Sequence, residues 1–194
     1  MASSKEFIDQ DREVAGEFYD LIEKLDNLPI QTAKKELQKL IRKDPDFLDS
    51  YLLLAELHLE EDDLEARDRL IDQAYQRAVQ LITDETGQWP EELRWGWWRN
   101  RHIIRALLTK GIQLWETGED KAALELFRYL LRSNPNDNPG VRFYILGVRM
   151  GMSFQDFERR FNKGGYYDED LDEWFAKNSA RFPDEFDWWE KLFS

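Results

Sequence analysis

Apolar residues recur at intervals of three and four along most of this 194-residue chain, the spacing that lines one face of an α-helix. In EFYDLIEKLDNLP, Phe18, Leu21, Ile22 and Leu25 form such a stripe, and Asn27, Leu28 and Pro29 end it. TAKKELQKLIRKDP follows, with Thr32 as its expected cap and Ala33, Leu37, Leu40 and Ile41 on one face. Its last turn is basic, which suits the negative end of the helix dipole. DFLDSYLLLAELHLEEDD predicts a third helix with Tyr51, Leu54, Ala55 and Leu59 inward. Asp62 and Asp63 then cap a long fourth helix whose stripe is Ala66, Leu70, Ala74, Ala78 and Leu81.

Thr86, Gly87 and Gln88 break the pattern, and QWPEELRWGWW, residues 88–98, crowds Trp89, Trp95, Trp97 and Trp98 together. Pro90 followed by two glutamates predicts the first turn of a helix, because proline needs no amide partner there and carboxylates favour the positive end. From that start Leu93, Trp97, Ile104, Leu108, Gly111 and Trp115 fall on one face, which places Trp97 in the core. Trp89, Trp95 and Trp98, beside Arg94, Arg99 and Arg101, are left for a second surface. They either glue the inserted turn to the fourth helix or anchor a partner, since tryptophan and arginine are the commonest interface anchors. DKAALELFRYLLRSNP, VRFYILGVRM and SFQDFERRF, the last capped by Ser153, continue the helical reading, and Lys163, Gly164 and Gly165 mark a hinge. No stretch sustains the two-residue alternation of a strand, so the expected fold class is all-α.

Helix pairs of this length invite a search for repeats. GIQLWETGEDKAALELFRYLLRSNP, residues 111–135, resembles the second half of a tetratricopeptide repeat: small Gly111, a tight Gly118-Glu119-Asp120 turn, small Ala123, Phe127 four residues on, and a closing Pro135. A poorer copy runs from about Val14, with Ala33, Leu37, Leu40 and Pro45 in the matching places. Pro45 and Pro135 stand 90 residues apart, 22 more than two 34-residue periods. A lengthened fourth helix and the tryptophan stretch account for the surplus. The resemblance covers roughly residues 14–152 and implies antiparallel helix-turn-helix units stacked as a short right-handed superhelix. It also implies a concave groove for a peptide or partner segment.

The family's groove positions carry over to Ala15, Phe18, Ile22 and Leu25; to Asp49, Leu52, Glu56 and Leu59; to Arg105, Leu108, Ile112 and Trp115; and to Pro139, Arg142, Leu146 and Arg149. The apolar members serve equally as core. Arginine is expensive to bury unpaired, so Arg105, Arg142 and Arg149 either line the second half of the groove with positive charge or lie on a solvated face. The family's carboxylate-binding Asn and Lys pattern is absent, because Leu108 and Ile112 occupy such places. The residues expected to meet a partner are Arg105, Arg142, Arg149, Glu56, Trp95, Trp98 and Trp115.

Charge narrows the partner. A formal charge of −13 opposes nucleic-acid binding, which draws on an excess of Lys and Arg. The polar N-terminus MASSKEFIDQDRE reads as no signal peptide, and no apolar run is long enough to span a bilayer, so no membrane and a cytoplasmic setting are expected. There is no cysteine, and hence no disulfide, thiolate nucleophile or thiolate zinc site.

Residues 164–194 form a separate acidic and aromatic segment after a repeat domain spanning 1–163. Tyr166, Tyr167, Trp174, Phe175, Phe182, Phe186, Trp188, Trp189 and Phe193 stand among its carboxylates. It either caps the last repeat against Val141 to Val148 or is a detachable peptide that docks onto Arg142 and Arg149. Two histidines, His58 and His102, give a triad or multi-histidine metal site little to work with. His58 and Asp62 stand four apart, and Glu60 to Asp63 read as a solvated cap. The expected function is therefore a non-enzymatic protein-binding module without a cofactor. The competing class is a small helical hydrolase or metal-binding protein using carboxylates and a histidine.

Overall fold

The structure is a computed structural model that describes residues 6–164 and 170–193. Gly165 of the expected hinge, with Tyr166 and Tyr167, lies outside the described residues. Ten α-helices occur among those described: α1 (Val14–Ile22), α2 (Ile30–Lys43), α3 (Asp49–Leu59), α4 (Leu64–Ile82), α5 (Arg101–Glu116), α6 (Asp120–Ser133), α7 (Val141–Arg149), α8 (Phe154–Phe161), α9 (Asp170–Asn178) and α10 (Pro183–Glu190). Single 3-10 turns lie at Leu25–Asn27, Trp98–Asn100 and Ser179–Arg181. The described residues contain no β-strand, and Glu6 and Glu92 form an isolated parallel bridge. The fold class is all-α, as the periodicity indicates.

Helix ends follow local chemistry. The Asp63 carboxylate caps α4 by accepting from the Ala66 amide at 3.1 Å, and the Ser153 hydroxyl caps α8 by accepting from the Asp156 amide at 3.1 Å. Thr32 does not cap α2. That helix begins at Ile30, and the Pro29 carbonyl accepts from the Thr32 and Ala33 amides, which puts Thr32 inside the first turn. Between α5 and α6, Gly118 takes a φ of +80°, a conformation that glycine adopts without strain.

Two compact units make up the chain, one ending at Lys110 and one beginning at Gly111, so the division falls within α5. In the first unit α1 packs on α2, α2 on α3 and α3 on α4. Val14, Phe18, Leu37, Phe47 and Leu54 are central to its core. Ala66, Ala74 and Ala78 are buried along α4, and short side chains there bring α4 close to α3. Ile71 and Ile82 complete that face in place of Leu70 and Leu81, which are only partly buried. Ile22 and Leu59, expected inward, are exposed.

In the second unit α7 packs against α6, α8 and α9. Trp115, Phe127, Tyr144 and Phe157 form a continuous ring cluster with centroid separations of 5.4 to 6.4 Å. Gly111 has the Phe127 ring directly over its Cα, leaving no room for a Cβ. A Cβ at Gly147 would lie 2.7 Å from the Trp115 ring. The C-terminal helices contribute buried Trp174, Phe175 and Phe186 to this unit, with Phe161 and Trp174 4.9 Å apart and Phe143 edge-on to Phe175 at 5.7 Å.

The tryptophan stretch departs from expectation. Residues 90–97 are not helical, and α5 starts only at Arg101. Their carbonyls bond elsewhere: Glu92 accepts from the Phe7 amide at 2.9 Å, Trp95 from Arg101 Nε at 3.2 Å, and Arg94 from the Asn100 side chain at 3.4 Å. Gly96 in the middle of the run also weakens a helix. Leu93, fully buried, anchors the loop. Trp97 is consequently 43% exposed rather than in the core.

Candidate interaction surface

In the first unit the N-terminal segment and the tryptophan loop are held by a buried polar network. Asn100, fully buried, accepts from the Asp9 amide at 2.9 Å and donates to the Phe7 carbonyl at 2.8 Å. The Asp9 carboxylate takes Arg12 Nε at 2.6 Å and His102 Nε2 at 2.9 Å, while Arg12 also reaches Asp44 at 2.9 and 3.1 Å. Burial works against the charge on Asp9, but hydrogen bonds from His102 and Arg12 outweigh it and hold the carboxyl below its ordinary range. On the other side of the ring, His102 Nδ1 accepts from the Leu48 amide at 3.2 Å. A nitrogen that accepts an N–H carries no proton, so the ring is the Nε2–H tautomer with both nitrogens engaged. Both ring nitrogens of His102 are thus engaged within this network.

On this base sits the exposed aromatic face. Tyr19, Trp98, Arg99 and Arg105 line a shallow, open crevice together with Phe47 and His102. Trp98 is 51% exposed with the Arg99 guanidinium 5.9 Å from its ring. Trp97 donates from Nε1 to Glu6 at 2.7 Å, which fixes its ring beside the N-terminal segment. Trp95, half-buried, lies under Arg101 at 5.3 Å and Arg105 at 5.6 Å. The expected glue between the loop and α4 is thus in large part a tie to residues 6–12.

Arg105 does not supply free positive charge. It grips Asp49 through two nitrogens, Nε at 2.8 Å from Oδ1 and Nη2 on Oδ2. Arg99 likewise meets Asp11 at 2.9 Å. Glu56 is exposed on α3, and its carboxyl is pushed up, first by loss of hydration and then by Glu60 and Asp49.

In the second unit, Trp115 is only 2% exposed and donates from Nε1 to the Met152 carbonyl at 2.9 Å. It is a core residue and presents nothing to a partner, because the aromatic cluster needs its full area. The expected positive lining is neutralised from within. Arg142 binds Asp137 and Asp172, each at 2.9 Å, and stacks 3.9 Å from Phe143. Arg149 binds Asp184 at 2.6 Å and also Glu185. Arg128, which periodicity did not single out, holds both Glu185 oxygens, with Nε at 2.9 and 3.2 Å.

The His58 and Asp62 pairing does not form. Asp62 adopts a φ of +59° after α3 has ended, and Asp63 meets His58 Nδ1 at 2.9 Å. No group of three or more His, Asp or Glu among the described residues is arranged to hold a metal ion. No helix among them is long and apolar enough to cross a membrane. Compared with family models, curated proteins and solved structures, the chain matches none.

Proposed function

We propose that the protein is a non-enzymatic interaction module that binds a segment of another protein at the tryptophan face of its N-terminal unit. One observation carries this: Trp97 and Trp98 expose 43% and 51% of their surface on a strongly charged protein, while the loop bearing them is pinned at Asn100, Glu92 and Glu6. Rings presented at fixed positions lose little entropy on binding, and tryptophan beside arginine is the usual hot-spot composition. The crevice is open and encloses only about 10 Å³, far below the ~300 Å³ of a small-molecule pocket, which favours a protein surface as ligand.

The same reading takes the helix pairs as tetratricopeptide-like. Supporting it are Gly111 beneath Phe127, fully buried Ala123, the left-handed Gly118 turn and Pro135 just beyond α6. The experiment compares wild type with Trp97→Ala/Trp98→Ala as bait, identifies what the variant no longer captures, and measures affinity for that protein once purified. A loss of ten-fold or more in the variant, with unchanged thermal melting, is expected. Capture of the same set by both baits would remove the proposal.

A further inference from the structure

The last helix sits on its own unit through contacts of an unusual kind for a cap. Glu185, 5% exposed, is gripped by Arg128 and Arg149 together. Asp184 adds a second contact to Arg149 at 2.6 Å, and Phe182 lies 4.8 Å from the same guanidinium. Trp189 donates from Nε1 to the Pro135 carbonyl at 2.7 Å, and its ring stands 5.4 Å from Arg142. Phe186 inserts edge-on against Phe175 at 5.0 Å.

The helix buries one apolar side chain, Phe186, and beside it a carboxylate, Glu185, where a helix retained for stability alone would be expected to bury a second apolar residue. Ion pairs withdrawn from water return little net stability compared with hydrophobic side chains of equal volume, but they strongly penalise a mismatched occupant. The mixture of arginine, tryptophan and carboxylate is that of a protein-protein interface. An eight-residue helix such as α10 also has little stability of its own. Its helical conformation therefore depends on the surface it packs against.

We infer that the face bearing Arg128, Arg149 and the Pro135 carbonyl is a docking groove for an acidic, aromatic helix of a partner protein, occupied in this chain by its own α10. The ligand chemistry is set by the resident segment: adjacent carboxylates for the two arginines, a phenyl ring one residue on, and an indole three residues beyond that, as in Asp184, Glu185, Phe186 and Trp189. Tethering gives the resident helix an effective concentration of order millimolar, so a competing helix gains access chiefly when α10 is weakened. Trp97 and Trp98 take no part in this groove.

The test uses the full chain and a fluorescent peptide spanning residues 179–193 as probe. Wild type should bind it weakly. The full chain carrying Asp184→Asn/Trp189→Ala, which loosens the resident helix at its two ends, should bind at least ten-fold tighter. Adding Arg149→Glu to that variant should return the peptide to wild-type affinity or below. The inference is overturned if the loosened variant binds no better than wild type, or equally well with Glu at position 149. Loss of helical circular dichroism in the loosened variant would overturn it too, since α10 would then be an indispensable part of the fold. Concentration-dependent dimerisation without peptide would assign the groove to a second copy of the chain instead of a partner.

Discussion

Asn100 holds the main chain at Asp9: its side-chain oxygen accepts the Asp9 amide at 2.9 Å, while its nitrogen donates to the carbonyl two residues earlier at 2.8 Å. One amide group thus closes a 91-residue loop and pins the N-terminal segment against the tryptophan loop.

Replacing Asn100 by Ala leaves the buried Asp9 amide and the partly buried Phe7 carbonyl without those partners. A destabilisation on the order of 2 kcal/mol is expected in denaturant titrations. Hydrogen exchange at the Phe7 and Asp9 amides should accelerate first. Unchanged protection there would show that the segment is held by something else.

The same network predicts an acid sensitivity. Asp9 is buried, which disfavours its charge, yet His102 and Arg12 hold its carboxyl below the ordinary value of 3.8. The folded state therefore binds this proton less readily than the unfolded chain. Its contribution is complete above 3.8 and is lost as pH falls through the lower folded value. Within that window, as pH falls from 3.8 toward the folded value, the denaturation midpoint of wild type should fall more steeply than that of Asp9→Asn, which starts lower at neutral pH. Parallel curves would assign the acid response to other carboxylates.

Gly111→Ala should destabilise by about 1–3 kcal/mol, because the added methyl meets the fully buried Phe127 ring. Combining it with Phe127→Leu should cost less than the sum of the two single changes, since the smaller side chain makes room for the methyl. Additive losses would mean that the two positions do not touch.

The tryptophans should separate by role. Trp115→Ala is expected to cost about 3–5 kcal/mol, having emptied the centre of a ring cluster. Trp98→Ala should stay within about 0.5 kcal/mol of wild type, as is usual for an exposed side chain. Thermal melts of the two variants suffice to check this ordering.

How much of this was legible beforehand differs by element. The stripe of α2, the alanines of α4, the small residues at Gly111 and Ala123, and the caps at Asp63 and Ser153 depend on residues close together in sequence. Spacing therefore exposes them. The tryptophan loop misled for the same reason. Pro90 and its glutamates make a good local helix start, but the backbone groups that follow are claimed by Phe7 and Asn100, and no local rule registers a partner at the other end of the unit.

The expected partner-facing residues were harder still. Charge and exposure cannot be separated along a sequence: Arg142 and Arg149 look like open cations until Asp172, Asp184 and Glu185 are brought against them. Periodicity alone determined that this chain is helical and which small residues let neighbours approach, because these are properties of short segments. Only the tertiary structure decided which tryptophans face water, which histidine nitrogen carries the proton, and which arginines are already answered. Each of those depends on a group tens of residues distant whose position the local pattern does not encode.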